Sequence, residues 1–199
     1  MGTSYLKWGA VISFVVAMLV LIGGGYAVKD QLPPYPERVV SDDGRVILDK
    51  DAIIRGQDVY QKYGLMDHGS VWGHGSLRGM DFSATTLHLL GRAMQSFYAK
   101  EKYSRSFEEL GTQDRENVKA IVRIELKENR YDGSSGTLTL TKAQQSALAE
   151  VEKFWEQEFG AGDKQHGFLP GNFLSQDRQF FFFNFVVIGC ELSLNNHFA

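Results

Sequence analysis

The sequence predicts a mostly α-helical chain, with one N-terminal membrane-spanning helix and a small helical domain after it. Three observations carry this reading. Trp8 to Val28 run for 21 positions without a charge. Four later stretches place apolar residues at helical spacing. The segments between these stretches are polar turns rich in Gly and Ser, and no internal repeat links them.

Residues 1–7 form a short N-terminal tail, and 8–28, "WGAVISFVVAMLVLIGGGYAV", the anchor. As a helix the run covers roughly 30 Å, the thickness of a bilayer core. A cleaved signal peptide is the competing reading, but its apolar part is usually shorter and no clear A-x-A site follows. Lys7 on one side faces Lys29 and Arg38 on the other, so positive charge hardly decides the orientation. A short tail inside and the main domain outside is the expected arrangement.

Residues 29–50 read as an extended linker, with three of the four prolines and an Asp-Asp-Gly turn that allows a short hairpin. The folded domain is expected over 51–179. Asp51 offers an N-cap to a helix carrying Ile53, Ile54, Val59, Tyr60 and Tyr63, stopped by Gly64. A second helix runs from Ser83 to about Tyr103, aligning Leu87, Leu90, Met94 and Phe97. A third starts at Asp114 and aligns Val118, Ile121, Val122 and Glu125 ahead of the turn "YDGSSG". "TLTLT" reads as an extended segment. Thr141 and Gln144 then form a capping box before the stripe Leu148, Val151, Trp155 and Phe159, which ends at Gly160. These stripes are read as core. The remainder, 180–199, is an aberrant apolar tail, "FFFFNFVVIGCELSLNNHFA", whose uncharged run is too short to span a bilayer.

Composition narrows the function classes. A formal charge of -3 gives no electrostatic reason to bind nucleic acid. The single cysteine, Cys190, forms no disulfide within the chain and no thiolate pair for zinc, and reads as a buried thiol. Chemistry concentrates in the loop "KYGLMDHGSVWGHGSLRGMD", residues 62–81, with glycines at 64, 69, 73, 75 and 79. Its glycines lack the order of a phosphate loop. Asp67, His68, His74 and His88 are candidate metal ligands, though no two histidines have the four-residue spacing that pairs imidazoles on a helix face. The glycines point to a backbone that turns tightly and approaches something closely. A hard cation held by main-chain oxygens is chemically reasonable there.

"GQDVYQKYGLMDHGSVWGHGSLRGMDFSATTLHLLG", Gly56 to Gly91, closely resembles the N-terminal region of quinol-dependent nitric oxide reductases, single-chain membrane enzymes of the haem-copper oxidase superfamily. The resemblance runs from the anchor to about Phe183, with "LTLTKAQQSALAEVEKFW" and "GFLP" in support. It implies a small cytochrome c-like helical domain without haem. The C-x-x-C-H attachment found in the related two-subunit enzymes corresponds here to Gly64, Leu65, Met66, Asp67 and His68, so this haem c motif is vestigial: both cysteines are gone and the histidine remains. It also implies calcium at the junction with the catalytic part, bound by the carbonyls of Gly75 and Leu77.

The reaction implied is 2 NO + 2 electrons + 2 protons giving N2O and H2O, a step of denitrification. Haem b and non-haem iron are expected in a catalytic multi-helix part, which also meets the quinol. The resemblance places this chain in the bacterial inner membrane, with its main domain on the periplasmic side, as a structural, quinol-site-supporting portion that is not catalytic alone. The tail departs from the family pattern after "FFFF", as in a gene product truncated by a frameshift or split before the catalytic helices. The alternative is an independent membrane-anchored binding or accessory module, such as one that binds calcium.

Overall fold

The computed structural model describes residues 3–29, 35–76, 79–162, 174 and 183–189. The chain divides into two units, Met1–Pro34 and Tyr35–Ala199. The first holds helix α1, Thr3–Lys29. Its stretch Ser4–Val28 is long and apolar enough to cross a membrane, and its large apolar side chains, Trp8, Phe14 and Leu21 among them, are exposed. A helix that is apolar all round, with those side chains facing outward, suits a lipid environment.

The second unit is mostly helical. Helix α2, Lys50–Lys62, starts at Asp49, whose carboxylate accepts the Ala52 amide at 2.8 Å. It is followed by α3, Phe82–Tyr103, α4, Thr112–Lys127, and α5, Lys142–Ala161. The capping box of α5 forms as the sequence predicts. Gln144 N–H donates to Thr141 Oγ1 at 3.1 Å, and Thr141 N–H donates to Gln144 Oε1 at 2.9 Å.

The α3–α5 pair carries the centre of the core, with Phe82, Leu90 and Met94 from one helix and Val151, Trp155 and Phe159 from the other, all buried. Phe82 meets Trp155 edge-on at 5.6 Å, and the Trp155 indole N–H donates to Thr86 Oγ1 at 3.0 Å, so the buried indole keeps a partner. On α4, Val118 and Val122 face inward beside buried Glu125. The Glu125 carboxylate accepts the hydroxyls of Tyr98 and Thr141, which ties α3, α4 and the start of α5 together. Burial, followed by this carboxylate, pushes the Tyr98 hydroxyl pKa above its usual range.

Among the described residues the unit also holds two small sheets. Strands β1 (Arg38–Ser41), β2 (Val46–Asp49), β6 (Tyr131–Asp132) and β7 (Thr137–Leu140) lie in the order β2-β1-β7-β6. Here β1 runs parallel to β7 with Val39 opposite Leu138, and both are buried. This corrects the expected domain start. Residues within the expected linker 29–50 form the hairpin β1–β2, and the compact unit begins at Tyr35 rather than Asp51 because Val39 and Leu48 belong to the core.

Of 180–199 the described residues are 183–189; they are helical and every one is buried, with Phe183, Phe185, Val186, Val187 and Ile188 in the core cluster. These residues cover apolar neighbours of the same unit, which is why their run has no polar face. Cys190 lies outside the described residues.

Candidate functional site

The glycine-rich loop leaves α2 through Gly64, which adopts a left-handed backbone at φ 64°. A 3-10 turn, Leu65–Asp67, then leads into a second sheet of three very short strands. Strand β3 (Gly69–Val71) lies between β4 (His74–Gly75), antiparallel, and β5 (Met80–Asp81), parallel. Val71 and His74 are joined by Trp72 and Gly73, both at positive φ, the pattern of the primed turns that match strand twist. Glycine is at home there. Trp72, at φ 51°, is not, and this left-handed backbone stores about 1 to 2 kcal/mol of strain.

What the glycines approach so closely is the loop's own backbone. A Cβ on Gly69 would lie 2.4 Å from the Met80 carbonyl oxygen, one on Gly75 2.4 Å from that of Gly69, and one on Gly79 1.7 Å from that of His68. Three segments therefore cross at a separation that admits no side chain.

Asp81 is the organiser that sequence reading missed. Its Oδ1 accepts the Ala84 amide at 2.8 Å and caps α3, and its Oδ2 accepts the Ser70 hydroxyl at 2.6 Å and the Gly73 amide at 2.9 Å. Burial opposes the charge, but these donated hydrogen bonds outweigh it and hold the carboxyl below its ordinary range. Next to it, the Trp72 amide donates to Ser83 Oγ at 3.0 Å. From α2 the Tyr60 hydroxyl donates to the His74 carbonyl at 2.9 Å, and burial pushes its pKa up. An Asp before "FSATTLHLLG" is an N-cap signal that places the start of α3 one residue ahead of Ser83.

The predicted site residues occupy varied surroundings. Leu65 is fully buried, Met66 and Asp67 are exposed, and His68 is half-buried. The Met66 carbonyl accepts the Ser76 amide at 2.7 Å, which folds β4 back over the turn. His74 and His88 are both exposed, one on β4 and the other on α3. Among the described residues, no three His, Cys, Asp or Glu side chains converge as a metal cluster. Gly75 lies exposed on the edge strand β4. Leu77 lies outside the described residues.

A covalent c-type haem does not fit this loop. At the two positions that the resemblance aligns with the attachment cysteines stand Gly64, in a left-handed turn, and Asp67, and neither carries a sulfur for a thioether bond. Between them, Leu65 joins the core cluster that also holds Phe82, Trp155 and Phe159.

Comparison with known proteins identifies the family. Residues 36–182 match the family model of the NorB cytochrome c-like domain of nitric oxide reductase, and the match begins one residue after the start of the compact unit. No curated protein matches the chain. With a mostly helical unit matched over most of its length, the chain belongs to the NorB cytochrome c-like domain family of nitric oxide reductases.

Proposed function

We propose that this chain is the membrane-anchored, haem-free extramembrane portion of a quinol-dependent nitric oxide reductase, structural in role and not catalytic alone. One observation carries the reading: the chain belongs to a cytochrome c-like family, yet its one cysteine is Cys190, outside the matched residues 36–182, and Gly64 and Asp67 stand where the resemblance aligns the two attachment cysteines. A relay haem serves a soluble electron donor. A quinol in the bilayer delivers electrons directly to a haem inside the membrane, so a domain serving such an enzyme can dispense with its own haem. Helix α1 then anchors the chain in the inner membrane, and the domain rests on the catalytic multi-helix part from the periplasmic side, where it helps shape the quinol site.

In that part, haem b and non-haem iron supply the reduction of NO when bound. This chain contributes a rigid face. Asp81, Ser70, Ser83 and Tyr60 brace strands β3 and β4 and the turn between them, and the Gly75 carbonyl on the edge strand is suited to a calcium ion at the junction, with Leu77 as its companion.

The test is to produce the full chain alone and together with the multi-helix part of a nitric oxide reductase. The expected result is quinol-dependent NO consumption by the pair, no activity from the chain alone, and no c-type haem band in either. A chain that purifies with a covalent haem, or a pair that accepts electrons only from a soluble cytochrome, overturns the proposal.

A further inference from the structure

The chain has two Asp-Gly pairs, Asp43–Gly44 and Asp132–Gly133, and no Asn-Gly. Such a pair is able to rearrange its own backbone. The glycine nitrogen attacks the aspartate Cγ, and one water leaves as a succinimide ring closes. One water then reopens the ring at the main-chain carbonyl, so the chain continues through the side-chain carboxyl as isoaspartate and its mass is unchanged. Glycine suits the attack because no side chain screens its nitrogen. The leaving group is the carboxyl OH, so the uncharged acid reacts and the carboxylate resists.

The two turns restrain their pairs differently. Between β1 and β2 the nucleophile itself is tied, because the Gly44 amide donates to the Ser41 carbonyl at 2.9 Å. The Asp43 carboxylate also accepts the Ser41 hydroxyl and, at 3.2 Å, the Arg45 amide. Between β6 and β7, Gly133 is exposed and its amide donates to nothing among the described residues. All the restraint there falls on the carboxylate. Asp132 Oδ1 accepts the Ser134 amide at 3.0 Å and the Ser134 hydroxyl at 2.7 Å, and Oδ2 accepts the Ser135 hydroxyl at 2.6 Å. These donors, Ser135 foremost, keep the group ionised by holding its pKa down at about 2. They also turn both oxygens toward residues 134 and 135, which keeps Cγ from swinging freely onto the Gly133 nitrogen.

We propose that Asp132–Gly133 is a latent site of backbone modification, and that the Ser134 and Ser135 hydroxyls are the guard that keeps it as aspartate. Without the guard the turn converts to isoaspartate, which adds a methylene to the main chain. The insertion falls between Asp132, paired with Thr137, and Gly136, whose carbonyl accepts the Glu37 amide at 2.7 Å. It therefore disturbs β1 as well as the turn. The inference rests on this turn alone and is independent of any role in NO reduction.

Ageing the full chain in detergent at mildly acid pH tests it. Trypsin releases 131–142 and 39–45, each with one Asp-Gly pair, and electron-transfer fragmentation distinguishes isoaspartate from aspartate in both. The double variant Ser134→Ala/Ser135→Ala is expected to form isoaspartate at 132 at least about 10-fold faster than the parent, because a carboxyl returned toward its ordinary range is uncharged more often by that order. The rate at Asp43 should not change. Ser134→Thr/Ser135→Thr keeps both hydroxyls and should keep the parent rate, which separates the guard from a general loosening of the turn. Both substitutions fall on exposed residues and leave the core intact. An alanine variant that ages at 132 no faster than the parent overturns the proposal, and so does a threonine variant that ages as fast as the alanine one.

Discussion

Removing the Asp81 carboxylate is expected to loosen the glycine-rich loop and the start of α3 together. In Asp81→Ala the α3 cap is lost, about 1 kcal/mol. The Ser70 hydroxyl, on a residue only 5% exposed, also loses its acceptor, which adds roughly 1 to 3 kcal/mol. The Gly73 amide is exposed and finds water instead. The sum is about 2 to 4 kcal/mol, which for a domain of roughly 150 residues lowers Tm by about 5 to 15 °C. Circular dichroism melts of the full chain in detergent measure it. Asp81→Asn keeps an acceptor for the Ala84 amide and loses the one shared by Ser70 and Gly73, so it should fall between parent and Asp81→Ala.

The same variant isolates a pH effect. The folded-state pKa of Asp81 is depressed. Its contribution is therefore complete above the unfolded carboxylate range and disappears as pH falls through the folded value. The stability gap between the parent and Asp81→Asn should be constant from about pH 7 to about 5 and narrow below about 4. An Asp81→Ala variant as stable as the parent, or a gap unchanged down to about pH 2, would refute the reasoning.

Other outcomes are open to direct measurement. Gly79→Ala drives a methyl into the His68 carbonyl and should cost about 2 kcal/mol or more in urea denaturation, whereas Gly91→Ala in α3 meets nothing within 4 Å and should stabilise by about 0.5 to 1 kcal/mol. Trp155→Ala empties the centre of the α3–α5 contact and should destabilise by about 3 to 5 kcal/mol; Thr86→Val, which removes only the acceptor of the indole N–H, should cost about 1 to 2 kcal/mol. Val39→Ala, on a strand inside the expected linker, should cost about 2 kcal/mol, and a neutral result would mean that β1 is not part of the cooperative unit.

Helices α2 to α5 were legible because each has a polar outer face beside its apolar stripe. The Thr141–Gln144 box and the stripe through Val151, Trp155 and Phe159 located α5 closely, and Gly64 marked the end of α2 through its left-handed turn. α3 and α4 begin one and two residues earlier than expected, at Phe82 and Thr112. Strands of two or three residues are too short for alternation to show, so β3, β4 and β5 left no pattern beyond their glycines. Those glycines correctly signalled a close approach, but only the fold reveals that Gly69, Gly75 and Gly79 face backbone of the same loop. The segment 183–189 was opaque for a different reason. A helix buried on every side has no amphipathic period, and its composition alone resembles a membrane run.

The parallel pairing of β1 with β7 also sets a timetable for biosynthesis. Arg38 lies opposite Thr137, so the strand nearest the anchor has to wait for almost a hundred further residues before its partner exists. At ribosomal rates that is roughly 5 to 20 s, and throughout it β1 has only β2 as its neighbour, with the edge that later meets β7 still open. The hairpin β1–β2 therefore carries an open sheet edge until β7 arrives, a stage at which the nascent chain is exposed to pairing with other strands.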